Sequence, residues 1–272
     1  MAQNKPHLKA AVDWLTTIAI ASIAISLTVG FHEGMHALSC IVVGGDLQEL
    51  SALHALCDAS EVWQGKIVSG IASVANIIVG FVCLAYLRRA HQQSSEKQFF
   101  LWLFMLMNWL NGAGYWMFSG IANIGDWANV IAGWEPHALW RILMTAVGTG
   151  TFAFFVWLAL KELGKIIGGS DKEQIKRATK LGLFAYAAAG LVILLAGLFN
   201  PYGVTSLPVI AGLMAVLGGL SPLLWMMQWF QAKIFVKLPQ KPLEIQRQWS
   251  WIGTAGIVIF IYAFILGRTL YF

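Results

Sequence analysis

The residues with the clearest chemical potential form an HExxH motif near the amino terminus, made by His32, Glu33 and His36. On a helix, positions i and i+4 lie on the same face, so the two imidazoles can take two corners of a tetrahedral zinc site. Glu33 would then stand beside the metal as a general base that activates its water. The alternative is that the three side chains only face water where a helix leaves the bilayer.

A hydrolytic zinc site needs a third protein ligand and an open position for water. We predict Asp126 as this ligand, because it follows a helix that contains Asn and Gly, and irregular backbone in a membrane is tolerated only beside protein or a cavity. Asp126 could instead cap a short helix that begins at Trp127. His54 and His137 are the reserve ligands. The other acidic candidates, expected on the side of the membrane where the first span ends, are Asp46, Glu49, Asp58, Glu61 and Glu135.

The composition places this motif in a membrane protein. Of 272 residues, 58% are hydrophobic and 11% are charged, whereas a soluble domain carries about 25% charged residues. No polar stretch is long enough to bury a core of its own. We therefore predict one integral membrane domain, with the lipid bilayer as its surroundings and no nucleic-acid partner.

A membrane-spanning helix needs about 20 predominantly apolar residues. The sequence predicts an all-α fold, a polytopic transmembrane bundle of about seven spans. The first could continue to about residue 43, where Gly44 and Gly45 provide the first clear stop. Asn108, Asn111 and Gly112 in the third indicate a face turned toward protein or water. We divide the chain into a metal-site half, 1–137, and a four-span half of unassigned role, 138–272. The predicted spans are 12–31, 66–87, 98–118, 138–160, 181–199, 209–230 and 250–270.

The segments that connect these spans alternate in charge, so that basic residues concentrate on one side of the membrane. Only Lys66, Arg141 and Arg268 fall on the side where the first span ends. By the positive-inside rule the N-terminus is cytoplasmic and the C-terminus extracytoplasmic. Cys40 and Cys57 fall on the outer side, and the sequence leaves open whether they pair. The other fifteen of the 18 basic residues are Lys5, Lys9, Arg88, Arg89, Lys97, Lys161, Lys165, Lys172, Lys176, Arg177, Lys180, Lys233, Lys237, Lys241 and Arg247.

The motif and its setting resemble the site-2-protease family of intramembrane zinc metalloproteases. That family places HExxH in a membrane helix and brings an Asp from a later helix, usually within Asp-Gly, as third ligand. The resemblance covers about residues 25–130. Here Asp126 is followed by Trp127 instead of Gly, and residues 69–76 approximate an Ala-Gly-Pro stretch ending in Asn, without the proline. The resemblance implies peptide hydrolysis in the membrane and a substrate-binding role for Asn76; an interhelical hydrogen bond is the alternative for Asn76.

Three functions remain open at this point. The first is an intramembrane zinc metalloprotease-like hydrolase, with zinc as cofactor, Glu33 as catalytic base and a membrane protein or peptide as substrate. The second is a membrane metalloenzyme that acts on a lipid or amide. The third is a non-catalytic metal-binding membrane protein. No peptide-binding domain is expected between the spans, so loops or a partner would have to select a peptide substrate.

Overall fold

The computed structural model describes residues 11–89, 93–168, 171–232 and 242–272. The described chain is mostly helical, which confirms the predicted all-α class. Five of the basic residues used to predict orientation lie outside the described residues: Lys5, Lys9, Lys233, Lys237 and Lys241.

Helix α1, Trp14–Val42, carries the HExxH motif. It begins after Asp13, whose carboxylate accepts a hydrogen bond from the backbone N–H of Thr16 at 2.8 Å. It ends just before Gly44, whose φ of +78° suits a residue without a Cβ. Its 29 residues make it about 43 Å long. The predicted continuation of the first span to about residue 43 is therefore confirmed.

Six stretches of the described chain are long and apolar enough to cross a membrane. They are Trp14–Val42, Val62–Arg89, His137–Ile166, Lys172–Phe199, Leu207–Trp229 and Trp249–Arg268. The helices after α1 are α2 (Val62–Arg89), α3 (Ser95–Ala122), α4 (Asp126–Val130), α5 (His137–Ile166), α6 (Asp171–Phe199), α7 (Leu207–Gly219), α8 (Pro222–Trp225) and α9 (Trp249–Ile259).

Two predicted spans are less regular than the sequence suggests. The span at 209–230 is divided, because α7 ends at Gly219 and Pro222, which has no N–H to donate, opens the short α8. A 3₁₀ segment, Met226–Ala232, follows α8. The last span continues beyond α9 as a π-helical segment, Phe260–Ile265, and a 3₁₀ turn, Leu266–Arg268.

Helix α3 lies between α2 and α5 in the middle of the bundle. Asn108, Asn111 and Gly112 do not interrupt it. Asn108 is fully buried, so the prediction that this face turns toward protein is confirmed. A Cβ on Gly112 would lie 2.5 Å from the carbonyl oxygen of Ser73 in α2. The glycine therefore permits the close approach of two helices that both contribute to the candidate site.

A small antiparallel sheet, which the sequence did not predict, follows α1. It contains β1 (Asp46–Leu50), β2 (Ala55–Asp58) and β3 (Leu270–Tyr271), in the order β2-β1-β3. A disulfide between Cys40 and Cys57 joins the last turns of α1 to β2. This pair, left open by the sequence, fixes the hairpin against the end of the helix that bears the motif.

The two ends of the described chain lie at opposite ends of the bundle. Near the start of α1, the backbone N–H of Asp13 donates to the carbonyl of Ile245 at 2.8 Å. The C-terminal strand β3 instead pairs with β1, beyond the last turn of α1. The two halves of the chain also pack together, because α1 contacts α6 and α9. The structure thus gives no reason to treat the halves as separate domains.

Candidate metal centre

Three potential metal ligands meet beside the C-terminal part of α1. Nε2 of His32 lies 3.3 Å from Nε2 of His36. Oδ2 of Asp126 lies 3.1 Å from the first of these nitrogens and 3.4 Å from the second. The three atoms form a nearly equilateral triangle, and the structure therefore brings together the three predicted ligands.

This triangle has the dimensions of a tetrahedral zinc site. Zinc bonds of about 2.0–2.1 Å at tetrahedral angles place ligand atoms about 3.3 Å apart. Both histidines are almost fully buried, whereas Asp126 is partly exposed at the edge of the cavity described below. Three protein ligands leave a fourth position for water, as in hydrolytic zinc sites.

The second nitrogen of each imidazole is held by a hydrogen-bond acceptor. Nδ1–H of His32 donates to Oδ1 of Asn76 at 2.8 Å, and Nδ1–H of His36 donates to the carbonyl oxygen of Val68 at 2.6 Å. These bonds leave the Nε2 lone pairs of both rings directed at each other and at Asp126. Lone pairs and a carboxylate at such distances repel unless a metal ion or a proton lies between them, and this donor set fits a metal ion.

Local backbone geometry brings Asp126 to the histidines. Helix α3 ends at Ala122, the capping residue Asn123 adopts the left-handed conformation with a φ of +56°, and Gly125 follows with a φ of +84°. The chain then enters α4, which is held on α2 by a hydrogen bond from Nε1 of Trp127 to Oγ of Ser73. The carboxylate of Asp126 makes no capping hydrogen bond in α4. The capping role that the sequence left open is therefore not observed.

A buried polar network supports His32 from three helices. Asn76 of α2 receives the imidazole proton, and its own Nδ2–H donates to Oδ1 of Asn108 in α3 at 2.7 Å. Asn108 in turn donates to Oγ1 of Thr28 in α1 at 3.2 Å. Asn76 is fully buried, and these contacts are those of an interhelical hydrogen-bonding residue. Its role in substrate binding stays a prediction.

Replacing Asn76 with alanine is expected to lower zinc affinity by about 10- to 100-fold, the usual effect of losing the partner of a metal-bound histidine. The physical reason is that the ring of His32 would lose the acceptor that fixes its tautomer and orientation. Competition with a chelator measures the change. Asn129→Ala is the matched control, because Asn129 lines the cavity but makes no hydrogen bond to either histidine. Equal affinities in the two variants would contradict the positioning role of Asn76.

Glu33 faces a large cavity beside the three ligands. Its side chain is 5% exposed and makes no hydrogen bond to another residue of the described chain. The cavity has a volume of about 1070 Å³. Its walls come from α1, α2, α3, the β1–β2 hairpin, the α3–α4 connection, α4, the α6–α7 connection and α7. A carboxylate without a hydrogen-bond partner among the described residues, next to three potential metal ligands and open to a cavity, is free to take a proton from a water molecule.

The reserve ligands lie elsewhere. His54 bonds to Glu49 through Nε2 at 3.0 Å, and His137 bonds to Oδ1 of Asn123 at 3.0 Å. Neither belongs to the group formed by His32, His36 and Asp126.

Sequence reasoning missed three features of this site. The Val68 carbonyl that holds His36 is a backbone atom and left no sequence signal. Tyr115 of α3 stacks on the ring of His32, with ring centroids 4.6 Å apart. Met214 and Ala215 of α7 help to line the cavity, so the C-terminal half contributes a wall of the site. In the sequence, only the Asn residues of the third span indicated that α3 contributes to the site.

Comparisons of this chain with protein-family models, with curated proteins and with solved structures give no match. The resemblance to the site-2-protease family therefore rests on the motif residues alone.

Proposed function

We propose that this chain is an intramembrane zinc metalloprotease-like hydrolase that cleaves peptide bonds within or near the membrane. The observation that carries the proposal is the triangle of His32, His36 and Asp126 beside the unpaired Glu33, at the wall of a cavity of about 1070 Å³. Both Nδ1 atoms are bonded to acceptors while both Nε2 atoms converge on a carboxylate, as the ligands of a zinc ion do. The arrangement suits hydrolysis of a carbonyl compound.

The residues of the chain take distinct parts in this reaction. His32, His36 and Asp126 would hold zinc, which when bound supplies a Lewis acid that polarises a carbonyl and lowers the pKa of water. Glu33 takes the proton from the attacking water and passes it to the leaving amine. Asn76 and the carbonyl of Val68 keep the two imidazoles in the required tautomer.

The position of the site constrains the form of a peptide substrate. In a membrane helix each backbone carbonyl is bonded within the helix. A transmembrane substrate must therefore unwind locally before one of its carbonyls can reach the site, and helix-breaking residues near the cut favour this. The cavity has room for such a segment, because its α7 wall is rich in small residues such as Ala211, Gly212 and Ala215.

The proposal includes α3 as a seventh crossing beside the six apolar helices. The described chain starts and ends at opposite ends of the bundle, and this arrangement requires an odd number of crossings. Helix α3 has 28 residues, about 42 Å of helix, which is enough to span a bilayer. Asn108 of this helix is fully buried, and Asn111 lines the cavity and donates to Oδ1 of Asn76 in α2.

The proposal also places the metal centre toward the extracytoplasmic side. Lysine and arginine concentrate at the ends of the helices opposite the HExxH end of α1, as expected for cytoplasmic loops. The Cys40–Cys57 disulfide lies at the HExxH end, and disulfides persist mainly in oxidising compartments. Two independent features therefore favour the same orientation, with the N-terminus in the cytoplasm and the C-terminus outside.

Thiol labelling of intact cells tests this orientation. A membrane-impermeant maleimide is expected to label the wild-type chain only after an impermeant reductant has opened the disulfide, because the third cysteine, Cys83, is buried. Cys40→Ser is the matched control, since it leaves Cys57 unpaired and open to labelling without reductant. If Cys57 in this variant reacts only after the cells are permeabilised, the metal centre lies on the cytoplasmic side and the proposed orientation is wrong.

Cleavage by the purified chain tests the function itself. Apolar model peptides with a central Gly-Pro segment, reconstituted with the protein in liposomes, are expected to yield new amino termini. Cleavage should stop when zinc is chelated and return when zinc is added back, because the proposed chemistry needs the metal. Absence of cleavage by folded, zinc-loaded protein, across a set of peptides with varied sequence, would count against a peptidase.

A lipid or amide hydrolase is the second candidate, and one observation favours it. The cavity is lined mainly by apolar side chains, as suits an acyl chain as well as an unwound peptide. The same ligands and base serve attack on any carbonyl. Zinc-dependent release of fatty acid from the liposomes, without new peptide termini, would support a lipid hydrolase over a peptidase.

A further inference from the structure

A second polar cluster lies in the wall of the same cavity, apart from the metal ligands. It is formed by Glu49 of β1, His54 of the hairpin and Tyr202 of the α6–α7 connection. The Tyr202 hydroxyl donates to Oε1 of Glu49 at 2.5 Å, and Nε2 of His54 lies 3.0 Å from Oε2. The proposed hydrolytic mechanism gives this cluster no part.

The hydrogen bonds around His54 define the roles of its two ring nitrogens. Oγ of Ser51 accepts the backbone N–H groups of Leu53 and His54, each at 3.1 Å. The two lone pairs of that hydroxyl are then used, so its proton is directed to Nδ1 of His54 at 2.7 Å. An imidazole that accepts at Nδ1 donates at Nε2, so His54 donates to Glu49.

Glu49 is consequently a buried carboxylate that accepts one hydrogen bond from Tyr202 and one from His54. It is only 8% exposed. The hydrogen bond from Tyr202, followed by the one from His54, holds the pKa of Glu49 below its usual range and keeps the carboxylate ionised at neutral pH. No lysine or arginine of the described chain forms an ion pair with it. Buried charges are normally paired, because desolvation is costly.

The carboxylate still has capacity for a further partner. An ionised carboxylate offers about four lone-pair sites, and the hydrogen bonds from Tyr202 and His54 occupy two of them. Among the described residues that line the cavity there is no lysine or arginine, whereas Glu33, Glu49 and Asp126 are all acidic. An incoming cation would meet no repulsive side chain on its way to Glu49.

From this arrangement we infer that Glu49, with His54 and Tyr202, forms a specificity subsite that binds a cationic group of the substrate while the scissile carbonyl lies at Glu33. The cationic group is an ammonium or guanidinium, supplied either by a basic side chain or by a free amino terminus. Because β1 lies beyond the end of α1, the cation is on the outer side of the scissile bond. This inference rests on the proposed peptidase function, but the binding of a cation at Glu49 does not.

Peptide binding to the full chain carrying Glu33→Gln tests the subsite without requiring cleavage. The probes are fluorescent apolar peptides with an acetylated amino terminus that differ at one residue, which is lysine, norleucine or glutamate and is moved stepwise along the peptide. A fourth probe is the norleucine peptide with a free amino terminus. At the best position the lysine peptide is expected to bind about 30-fold more tightly than the norleucine peptide, a ratio typical of one buried charge pair.

Adding Glu49→Gln is expected to abolish this preference, and adding Glu49→Lys is expected to shift it to the glutamate peptide. Adding Glu61→Gln is the matched control, because Glu61 is exposed and does not line the cavity; it should leave the preference unchanged. A preference for the free amino terminus over its acetylated counterpart, lost with Glu49→Gln, would identify the amine as the source of the cation. Equal binding of all four probes, or a lysine preference that survives Glu49→Gln, would overturn the inference.

The same peptides separate this inference from the proposed function when they are given to the chain with Glu33 intact. A lysine preference that depends on Glu49, without any cleavage, supports the subsite and contradicts the peptidase. Cleavage at equal rates for lysine and norleucine peptides supports the peptidase and contradicts the subsite. The zinc content of each variant is measured alongside, and Glu49→Gln should retain the wild-type content because Glu49 does not belong to the metal triangle.

Discussion

Glu33→Gln is expected to lower peptide cleavage by about 10³-fold while zinc binding is preserved, since a general base contributes roughly 10²–10⁴-fold to such reactions. Glutamine has the shape of glutamate but cannot take a proton from water. The Glu33 carboxylate forms no hydrogen bond to another described residue, so the change leaves no partner unsatisfied. Rates of new amino-terminus formation at matched zinc content measure the effect.

The control for this variant is Glu61→Gln, which changes an exposed glutamate on the same side of the bundle. It should cleave like the wild type. If Glu33→Gln also cleaves at the wild-type rate, Glu33 is not the base and the proposed mechanism is wrong. If Glu33→Gln loses zinc, the loss of activity would have to be assigned to the metal site instead of to proton transfer.

Asp126→Ala and His36→Ala are each expected to lower zinc affinity by more than about 100-fold, a larger effect than the loss of a residue that only orients a ligand. Each change removes one corner of a triangle whose sides measure 3.1, 3.3 and 3.4 Å. The two remaining ligands are fewer than the three protein ligands of a hydrolytic zinc site. Chelator competition on purified variants gives the affinities.

His54→Ala and His137→Ala are the matched controls for these ligand changes. Both residues were reserve ligands by sequence, and both bond to other partners in the structure. Their zinc affinity should equal that of the wild type. Loss of zinc in either control, with retention in Asp126→Ala, would show that the third ligand has been assigned wrongly.

The two histidine ligands could be predicted from their spacing in the sequence, whereas most contacts from distant elements could not. His32 and His36 meet because a helix puts residues i and i+4 on one face, a geometry that needs no knowledge of the fold. Asp126 could be selected only through its irregular setting after α3. The carbonyl of Val68 and the hydroxyl of Tyr202 come from other elements, and no periodic pattern connects them to the motif.

The helices and the small sheet differ in predictability for a similar reason. Long apolar runs impose helices in a membrane, so α1, α2, α5 and α6 follow from hydropathy. The break at Pro222 lies within an apolar run and leaves the hydropathy of 209–230 almost unchanged. Strand β1 has five residues and β2 has four, too few to show a clear alternation. Strand β3, which completes the sheet, comes from the other end of the chain, and the Cys40–Cys57 disulfide that holds β2 on α1 could not be inferred from spacing alone.

The most direct test of the account is the zinc content of the purified wild-type chain, combined with X-ray absorption at the zinc edge. We expect about one zinc per chain, bound by nitrogen and oxygen at about 2.0–2.2 Å and with no sulfur ligand. The multiple-scattering signature of two imidazoles would match His32 and His36. Folded protein that takes up no zinc, or zinc bound through sulfur, would contradict the metal centre and with it the proposed hydrolase.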